Sequence, residues 1–381
     1  MKLNKALIEA VVSSDPVKGY THNFYRYPAR FSPQFVRAVI NQFSAPEDLV
    51  LDPFMGGGTS IVEALTMSRS AIGIDINELA HFVATVKTTP LSSKDKSQIL
   101  HWFAQVNHLI IGGATPITPV ANFPMYMQEL FARYLSNIEL LSSERQRRFA
   151  QCVLLKTGQW AVDCRHTLPD AEAIVARINS NVSEMFCGLD AFQYACQNAG
   201  VPKNQITYRR KLFCQSVTDL DKIPDIINLP QKPRLVVTSP PYPGVHVLYH
   251  RWQINGRRET PAPYWLASLN DGNGEGFYTL GGRSRIGLEK YFISITQAFR
   301  SIRNVIHPHA HVIQLVAFSR VEEQLTKYLY AMKEAGYKEV QLYKNEEQMS
   351  VWRDVPNRKW YSRVRGEHDC TRELLLIHQP S

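Results

Sequence analysis

Apolar positions along the chain change period three times, and the changes divide it. Asp48-Leu49-Val50-Leu51 and Ala71-Ile72-Gly73-Ile74 are short runs, nearly all apolar and bounded by polar residues and glycines, the pattern of strands buried on both faces. Between them Ile61-Val62-Glu63-Ala64-Leu65 has helical spacing, and strand–helix–strand order predicts an α/β sheet with parallel strands. Upstream, residues 1–15 suit a short helix, and residues 34–40 form an amphipathic one with Ser32 at its cap and Pro33 at its first position. From about residue 87 to residue 205 the strand pattern disappears. Helical spacing there predicts helices over 94–111, 125–141 and 145–160, with one or two more within 171–199. Breakers fall at Gly112-Gly113 through Pro119, at Pro169 and at Gly200 to Pro202.

The sheet pattern resumes at 208–214 and at Leu235-Val236-Val237, then continues as helix 288–305, strand 311–317, helix 321–335 and strands 337–343 and 372–378. The expected architecture is therefore an α/β core of residues 1–88 and 206–381, with a helical insertion, 89–205, between strands 2 and 3. Residues 244–287 read as a long irregular segment within the core. Aromatics (Trp252, Tyr264, Trp265, Phe277, Tyr278) and arginines (Arg251, Arg257, Arg258, Arg283, Arg285) are mixed with its glycines. Loops of that length inside compact domains are functional or disordered, and so many aromatics argue against simple disorder.

Three stretches carry candidate chemistry. Asp52-Pro53-Phe54-Met55-Gly56-Gly57-Gly58-Thr59-Ser60 joins the first strand to a helix, an arrangement that brings backbone N–H groups and a helix N-terminus against a ligand. No lysine precedes Thr59, so this is not a phosphate-binding P-loop, and it lacks the full GxGxxG of dinucleotide enzymes. About 20 residues on, Asp75 ends the second strand, where nucleoside-binding sheets place an acid for the ribose hydroxyls. The third stretch, Thr238-Ser239-Pro240-Pro241-Tyr242, stops a buried strand abruptly, since neither proline can continue a central ladder. It would hold a hydroxyl, a carbonyl and an aromatic ring rigidly at the strand's carboxyl end. Taken alone it is equally a Pro-rich turn.

Charge adds a partner. With 43 Lys and Arg against 34 Asp and Glu the formal net charge is +9, which favours a polyanion. Trp252, Arg257, Arg258, Arg283, Arg285, Arg353, Arg358 and Lys359, in loops near the expected strand ends, are the candidate contacts to such a polyanion, DNA under the resemblance drawn next. The six cysteines form no CxxC pair and no metal-ligand spacing; they read as reduced, mostly buried thiols, and no metal is expected. His307, His309 and His311 alternate without an accompanying acid or cysteine and read as ordinary loop and strand residues. Neither a signal peptide nor a run of eighteen apolar residues is present, so no membrane partner is expected.

Together these pieces resemble the amino-methylating DNA methyltransferases, which use S-adenosylmethionine on an α/β sheet. Asp52 to Thr59 is similar to the family's glycine motif, Gly73-Ile74-Asp75-Ile76 to its acidic motif, and Ser239-Pro240-Pro241-Tyr242 to its catalytic motif, [D/N/S]-P-P-[Y/F/W]. The stretch from His22 to Pro33 is similar to the flanking motif around the methionine end of the cofactor. The resemblance implies a Rossmann-like methyltransferase sheet, mostly parallel with an antiparallel last strand. It implies catalytic Ser239, Pro240, Pro241 and Tyr242. The cofactor residues it implies are His22, Phe31, Pro33, Asp52, Pro53, Phe54, Gly56, Gly58, Thr59, Asp75, Ile76 and Thr238. An acid is common near the third strand in this family; Gln215-Ser216 stands here, leaving open whether Ser216 or Asp219 reaches the adenine.

The implied reaction is methyl transfer to an exocyclic amine of a flipped-out base in double-stranded DNA, with S-adenosylhomocysteine as product. Ser239 and the Pro240 carbonyl would accept hydrogen bonds from the amine, and Tyr242 would stack on the base. No Pro-Cys pair provides the nucleophile for attack on ring carbon. Serine at the first motif position resembles the cytosine-N4 subgroup; adenine-N6 and RNA amino-methyltransferases remain alternatives, as does a catalytically silent nucleic-acid binder. A small-molecule methyltransferase would not need the basic aromatic loops. The resemblance also implies a prokaryotic cytoplasmic protein, partnered by a restriction endonuclease acting on the same sequence, with no implication for oligomeric state.

Overall fold

Successive residues of a strand point to opposite faces of its sheet, and here both sets are apolar. Val50, Ala71, Leu235, Val237, Ile313, Leu315, Leu375 and Ile377 fill one core. Leu49, Leu51, Ile72, Ile74, Val236, Val312, Val316, Leu374 and Leu376 fill the other. The computed structural model describes residues 1–27, 30–109, 119–165, 167–244, 251–254, 258–272, 280–282, 284–344, 347–355 and 371–381.

The elements run α1 (Lys5–Val12), α2 (Pro33–Phe43), β1 (Leu49–Asp52), α3 (Thr59–Thr66), β2 (Ser70–Asp75) and α4 (Glu78–Lys87). Four helices follow: α5 (Ser93–Leu109), α6 (Met125–Ser136), α7 (Glu144–Val162) and α8 (Ala171–Asn198). The chain then returns to the sheet with β3 (Arg210–Cys214), a short α9 (Pro224–Ile227) and β4 (Leu235–Thr238). The remainder is β5 (Trp252–Ile254), β6 (Arg258–Thr260), α10 (Ala262–Leu266), α11 (Arg285–Val305), β7 (His311–Ala317), α12 (Val321–Glu334), β8 (Tyr337–Glu339), β9 (Leu342–Lys344), β10 (Glu347–Met349), β11 (Trp352–Val355) and β12 (Thr371–Pro380).

The main sheet has the order β11-β12-β7-β4-β1-β2-β3, with β8 also pairing β12. Strands β7, β4, β1, β2 and β3 are parallel neighbours, and β12 enters antiparallel beside β7. This is the doubly wound, mostly parallel sheet with an antiparallel last strand. The chain moves from β1 outward to β2 and β3, then crosses to β4 on the other side of β1. That reversal leaves a crevice outside the carboxyl ends of β1 and β4, where open α/β sheets bind ligands.

Helices α1 to α4 and α7 and α8 bury their apolar stripes in the first core, and α11 and α12 cover the second. Ser32 occupies the cap position of α2 with Pro33 at N1, although its hydroxyl makes no capping bond. Residues 171–199, read as one or two helices, form the single 28-residue α8. Its buried Ile174, Ile178, Val182, Met185, Leu189, Phe192 and Cys196 recur at the three-to-four spacing of one helix face. The continuous stripe explains why no break occurs. The cysteines differ from expectation: Cys152 and Cys196 are buried, Cys164, Cys187 and Cys214 are exposed, and Cys370 lies outside the described residues. Among the described residues no helix is long and apolar enough to cross a membrane.

The irregular segment is also different from expectation. Where described, it folds into the antiparallel pair β5–β6 and helix α10, packed on α7. Trp252, expected at a DNA surface, is 1% exposed and donates its indole N–H to the Tyr25 hydroxyl at 2.9 Å. A Cβ at Gly158 of α7 would come within 2.7 Å of the Trp252 ring, so the glycine leaves the space the indole fills. A large apolar ring with its one polar atom satisfied is core, and Trp252 is removed from the DNA contacts. We expect Trp252→Ala to cost about 3–5 kcal/mol of stability in urea denaturation, as for large aromatic truncations in cores. A surface contact would leave the midpoint almost unchanged.

Candidate active site

The first strand ends on a buried carboxylate. Asp52 Oδ1 accepts from the Thr238 hydroxyl at 2.8 Å and from the Phe54 amide at 3.1 Å, and Oδ2 accepts from the Ser60 hydroxyl. One side chain thereby ties together the carboxyl ends of β1 and β4 and the first turn of α3. Burial pushes its pKa up to about 6, while the three donors pull it back down.

The glycine loop follows, held from several sides. Met55 donates its amide to the Ile74 carbonyl of β2 at 2.9 Å. Gly58 adopts φ +73°, and a Cβ there would meet Ala84 at 2.8 Å; both the backbone and the space require glycine. From α4, Lys87 reaches under the loop and donates to the Gly57 carbonyl at 2.7 Å. The amine is fully buried, and burial followed by the nearby Arg30 charge lowers its pKa to about 7. The Tyr27 ring lies over the loop: a Cβ on Gly57 would approach its Cβ to 2.9 Å. Asn77 ties this cover to the rest by donating to the Tyr27 hydroxyl at 3.2 Å. Its own Oδ1 accepts from the Tyr264 hydroxyl at 3.0 Å and caps α4 through the Leu79 amide at 2.8 Å.

Asp75 closes β2 beside the loop. Its Oδ2 accepts the Gly56 amide and its Oδ1 the Asn77 amide, each at 2.9 Å. Burial moves its pKa up to about 6 against those two amides, although the residue is still half-exposed at the crevice. Ile76, 37% exposed, leaves an apolar surface next to it.

Across the crevice β4 ends at Thr238 and the two prolines follow. Ser239 Oγ lies 3.1 Å from the Leu315 carbonyl of β7 and 2.9 Å from the Tyr242 hydroxyl. That hydroxyl donates to Glu373 Oε1 of β12 at 2.6 Å, and Oε2 of the same carboxylate is 3.8 Å from the Arg353 guanidinium of β11. Tyr291 of α11 donates to the Pro241 carbonyl at 2.8 Å, fixing the second proline. The Tyr242 residue as a whole is 6% exposed.

Not every expected residue stands where a ligand could touch it. His22 is 1% exposed and bonded to Glu63 Oε1 at 2.8 Å, while Glu63 Oε2 accepts from Arg37 at 2.7 Å. Burial lowers the His22 pKa while the Glu63 hydrogen bond raises it, and the ring is enclosed with its Nε2 taken by Glu63. Phe31 is buried against Phe35, with ring centroids 5.5 Å apart, and Pro33 is half-buried at the start of α2. Asp52, Pro53, Thr59 and Thr238 are buried supports, whereas Phe54 and Gly56 are partly open. Ser216 caps the turn after β3 by accepting the Thr218 amide, and Asp219 is exposed and paired with Lys222. Arg353 faces Glu373 and is largely buried, so it too leaves the set of DNA contacts. Arg258 is exposed, and Arg285 is exposed and pairs with Glu289. Arg257, Arg283, Arg358 and Lys359 lie outside the described residues.

Sequence reasoning passed over Lys87, Asn77, Glu63 and Glu373. Lys87 carried a signal: it continues the Ala80, Val83, Ala84 stripe of α4, so its amine had to be buried. Glu373 likewise is a charge directly preceding the apolar run Leu374-Leu375-Leu376.

A family of known proteins shares this half of the crevice. Residues 9–85, which include Asp52, the glycine loop and Asp75, match the model of the N6_N4_Mtase family, described as DNA methylase. The resemblance to the amino-methylating DNA methyltransferases holds. The Type II methyltransferase M.MvaI of Kocuria varians is 40% identical over 86 residues, covering 22% of this chain and 19% of that one. M.MjaII of Methanocaldococcus jannaschii, also a Type II methyltransferase, is 30% identical over 99 residues, 26% of this chain and 19% of its own. The chain therefore spans about a fifth of the length of these relatives. Among solved structures, TrmN from Thermus thermophilus aligns over 92% of this chain and 49% of its own at 11% identity, with a TM-score of 0.34.

Lys87 provides a pH-dependent signature for the loop. The unfolded chain keeps this amine protonated up to about 10.5 and the folded chain only up to about 7. Between those values the unfolded state binds more protons, so the contribution of Lys87 to stability rises with pH. Urea denaturation should show wild type gaining about 2–3 kcal/mol relative to Lys87→Met between pH 7 and pH 9. A difference that stays flat over this window would place the amine in solvent.

Proposed function

We propose that the chain transfers a methyl group from S-adenosylmethionine to an exocyclic amine of a base in DNA, with the N4 of cytosine as the acceptor. The observation that carries this reading is the Thr238–Asp52 hydrogen bond. It sets the glycine loop and the Ser-Pro-Pro-Tyr stretch side by side at the crevice where the sheet reverses direction.

The residues at the crevice fit a nucleoside-bearing cofactor. Gly56 is partly open on the loop, Asp75 offers a half-exposed carboxylate for ribose hydroxyls, and Ile76 and Phe54 offer apolar surface for a purine. When bound, S-adenosylmethionine supplies a methyl on a cationic sulfur, which keeps the C–S electron pair as the N–C bond forms and the nitrogen releases a proton. The chain's own part is position and electrostatics. Ser239 Oγ accepts from the amine and turns its lone pair toward the methyl, and the prolines hold that oxygen against drift. Base flipping would bring the amine within reach, with the Tyr242 ring as one wall for the base.

The net charge of +9 and the exposed Arg258 and Arg285 suit phosphate contacts. Double-stranded DNA is the partner, and the relatives' description as Type II methyltransferases favours pairing with an endonuclease of the same specificity. Serine at position 239 favours cytosine over adenine by the family pattern.

Labelled methyl transfer to unmethylated duplex DNA should be seen with wild type and should fall on the order of 100-fold in Ser239→Ala, as for loss of one preorganised hydrogen bond. Mass spectrometry of nucleosides from that DNA should show N4-methylcytosine. N6-methyladenine would overturn the choice of base, and DNA binding without transfer to any base would overturn the enzyme reading.

A further inference from the structure

Each hydroxyl around Ser239 has one hydrogen to give. Tyr242 donates to Glu373 Oε1 at 2.6 Å, a length typical of a hydroxyl bonded to an ionised carboxylate. With the Tyr242 hydrogen held there, the Ser239–Tyr242 contact at 2.9 Å can be filled only by the Ser239 hydrogen, which otherwise goes to the Leu315 carbonyl at 3.1 Å. In either case neither neighbour donates to Ser239, and its half-buried Oγ keeps lone pairs for an incoming donor. We propose that Glu373 is a positioning residue that fixes Ser239 as a pure hydrogen-bond acceptor for the substrate amine, by keeping the Tyr242 hydrogen off the serine oxygen. This rests on the amine-methylation reading above.

The carboxylate is suited to the task. Glu373 sits on β12, opposite Ala317 of β7, 7% exposed, and its second oxygen faces the Arg353 guanidinium at 3.8 Å. Arg353 therefore also decides what an amide would do in its place. In Glu373→Gln the amide oxygen turns to the cation and the NH2 group to Tyr242, so the Tyr242 hydrogen loses this carboxylate acceptor and can turn to Ser239, 2.9 Å away, where it competes with the substrate for the serine lone pairs. Glu373→Met removes the acceptor outright, with the same consequence.

The test is a double-mutant comparison of methyl transfer to DNA. Glu373→Gln should lose at least tenfold in kcat with KM for DNA and for S-adenosylmethionine unchanged within twofold. In a Tyr242→Phe background, where the competing hydrogen no longer exists, the same substitution should change kcat by less than threefold, and the double variant should exceed Glu373→Gln alone by at least fivefold. If Glu373→Gln does not fold, Glu373→Met in the Tyr242→Phe background decides: turnover within threefold of Tyr242→Phe supports the proposal, and a tenfold fall overturns it. Equal losses with and without the tyrosine hydroxyl mark a merely structural carboxylate and overturn it. Unchanged turnover in Glu373→Gln overturns this role alone, whereas a wild-type chain inactive on all DNA overturns the reaction itself.

Discussion

The Asp52 carboxylate is the constraint on which the site depends. A buried anion at the end of a strand is expensive unless it is bonded, and here three donors from three parts of the chain converge on it. Burial raises its pKa to about 6, and the three donors are what keep burial from raising it further. Remove any one donor and the balance moves toward a protonated acid with fewer bonds to give. The crevice geometry and the charge state of this residue are thus two readings of the same packing.

A second buried layer supports the first. Lys87 holds the glycine loop through the Gly57 carbonyl, Tyr27 packs against Gly56 and Gly57, and Asn77 joins Tyr27 to α4 and to Tyr264. The His22–Glu63–Arg37 cluster braces α2 against α3 nearby. Loops exposed at strand ends are ordinarily the mobile parts of an α/β sheet. This one is fastened by Lys87, Tyr27 and Asp75 and does not share that freedom.

Much of this was legible in the sequence. The sheet strands, the glycine loop and the strand-end Asp75 follow from apolar runs and turn chemistry, both of which are local. The helical stretch between β2 and β3 was readable for the same reason, since helix spacing repeats every few residues. Burial partners were not legible. Trp252 among arginines and glycines reads as a surface aromatic until Gly158, far upstream, leaves space for it. Arg353 reads as a phosphate contact until β11 pairs with β12 and sets it opposite Glu373. His22 reads as a ligand contact until Glu63 claims it. Each error has one physical source: a side chain's role depends on what the fold brings to it across long sequence distances.

That distance has a consequence for how the protein comes into being. Tyr242 and its acceptor Glu373 are separated by 131 positions, and β12 must slide antiparallel between β7 and β11 before the two can meet. A nascent chain that has already displayed its glycine loop and its Ser-Pro-Pro-Tyr stretch still lacks the strand that orders the tyrosine hydroxyl. Non-local pairing of this kind is slow, because loop-closure entropy is lost before the contacts compensate it. During synthesis the motifs are therefore present well before the hydrogen bonds around Ser239 can form.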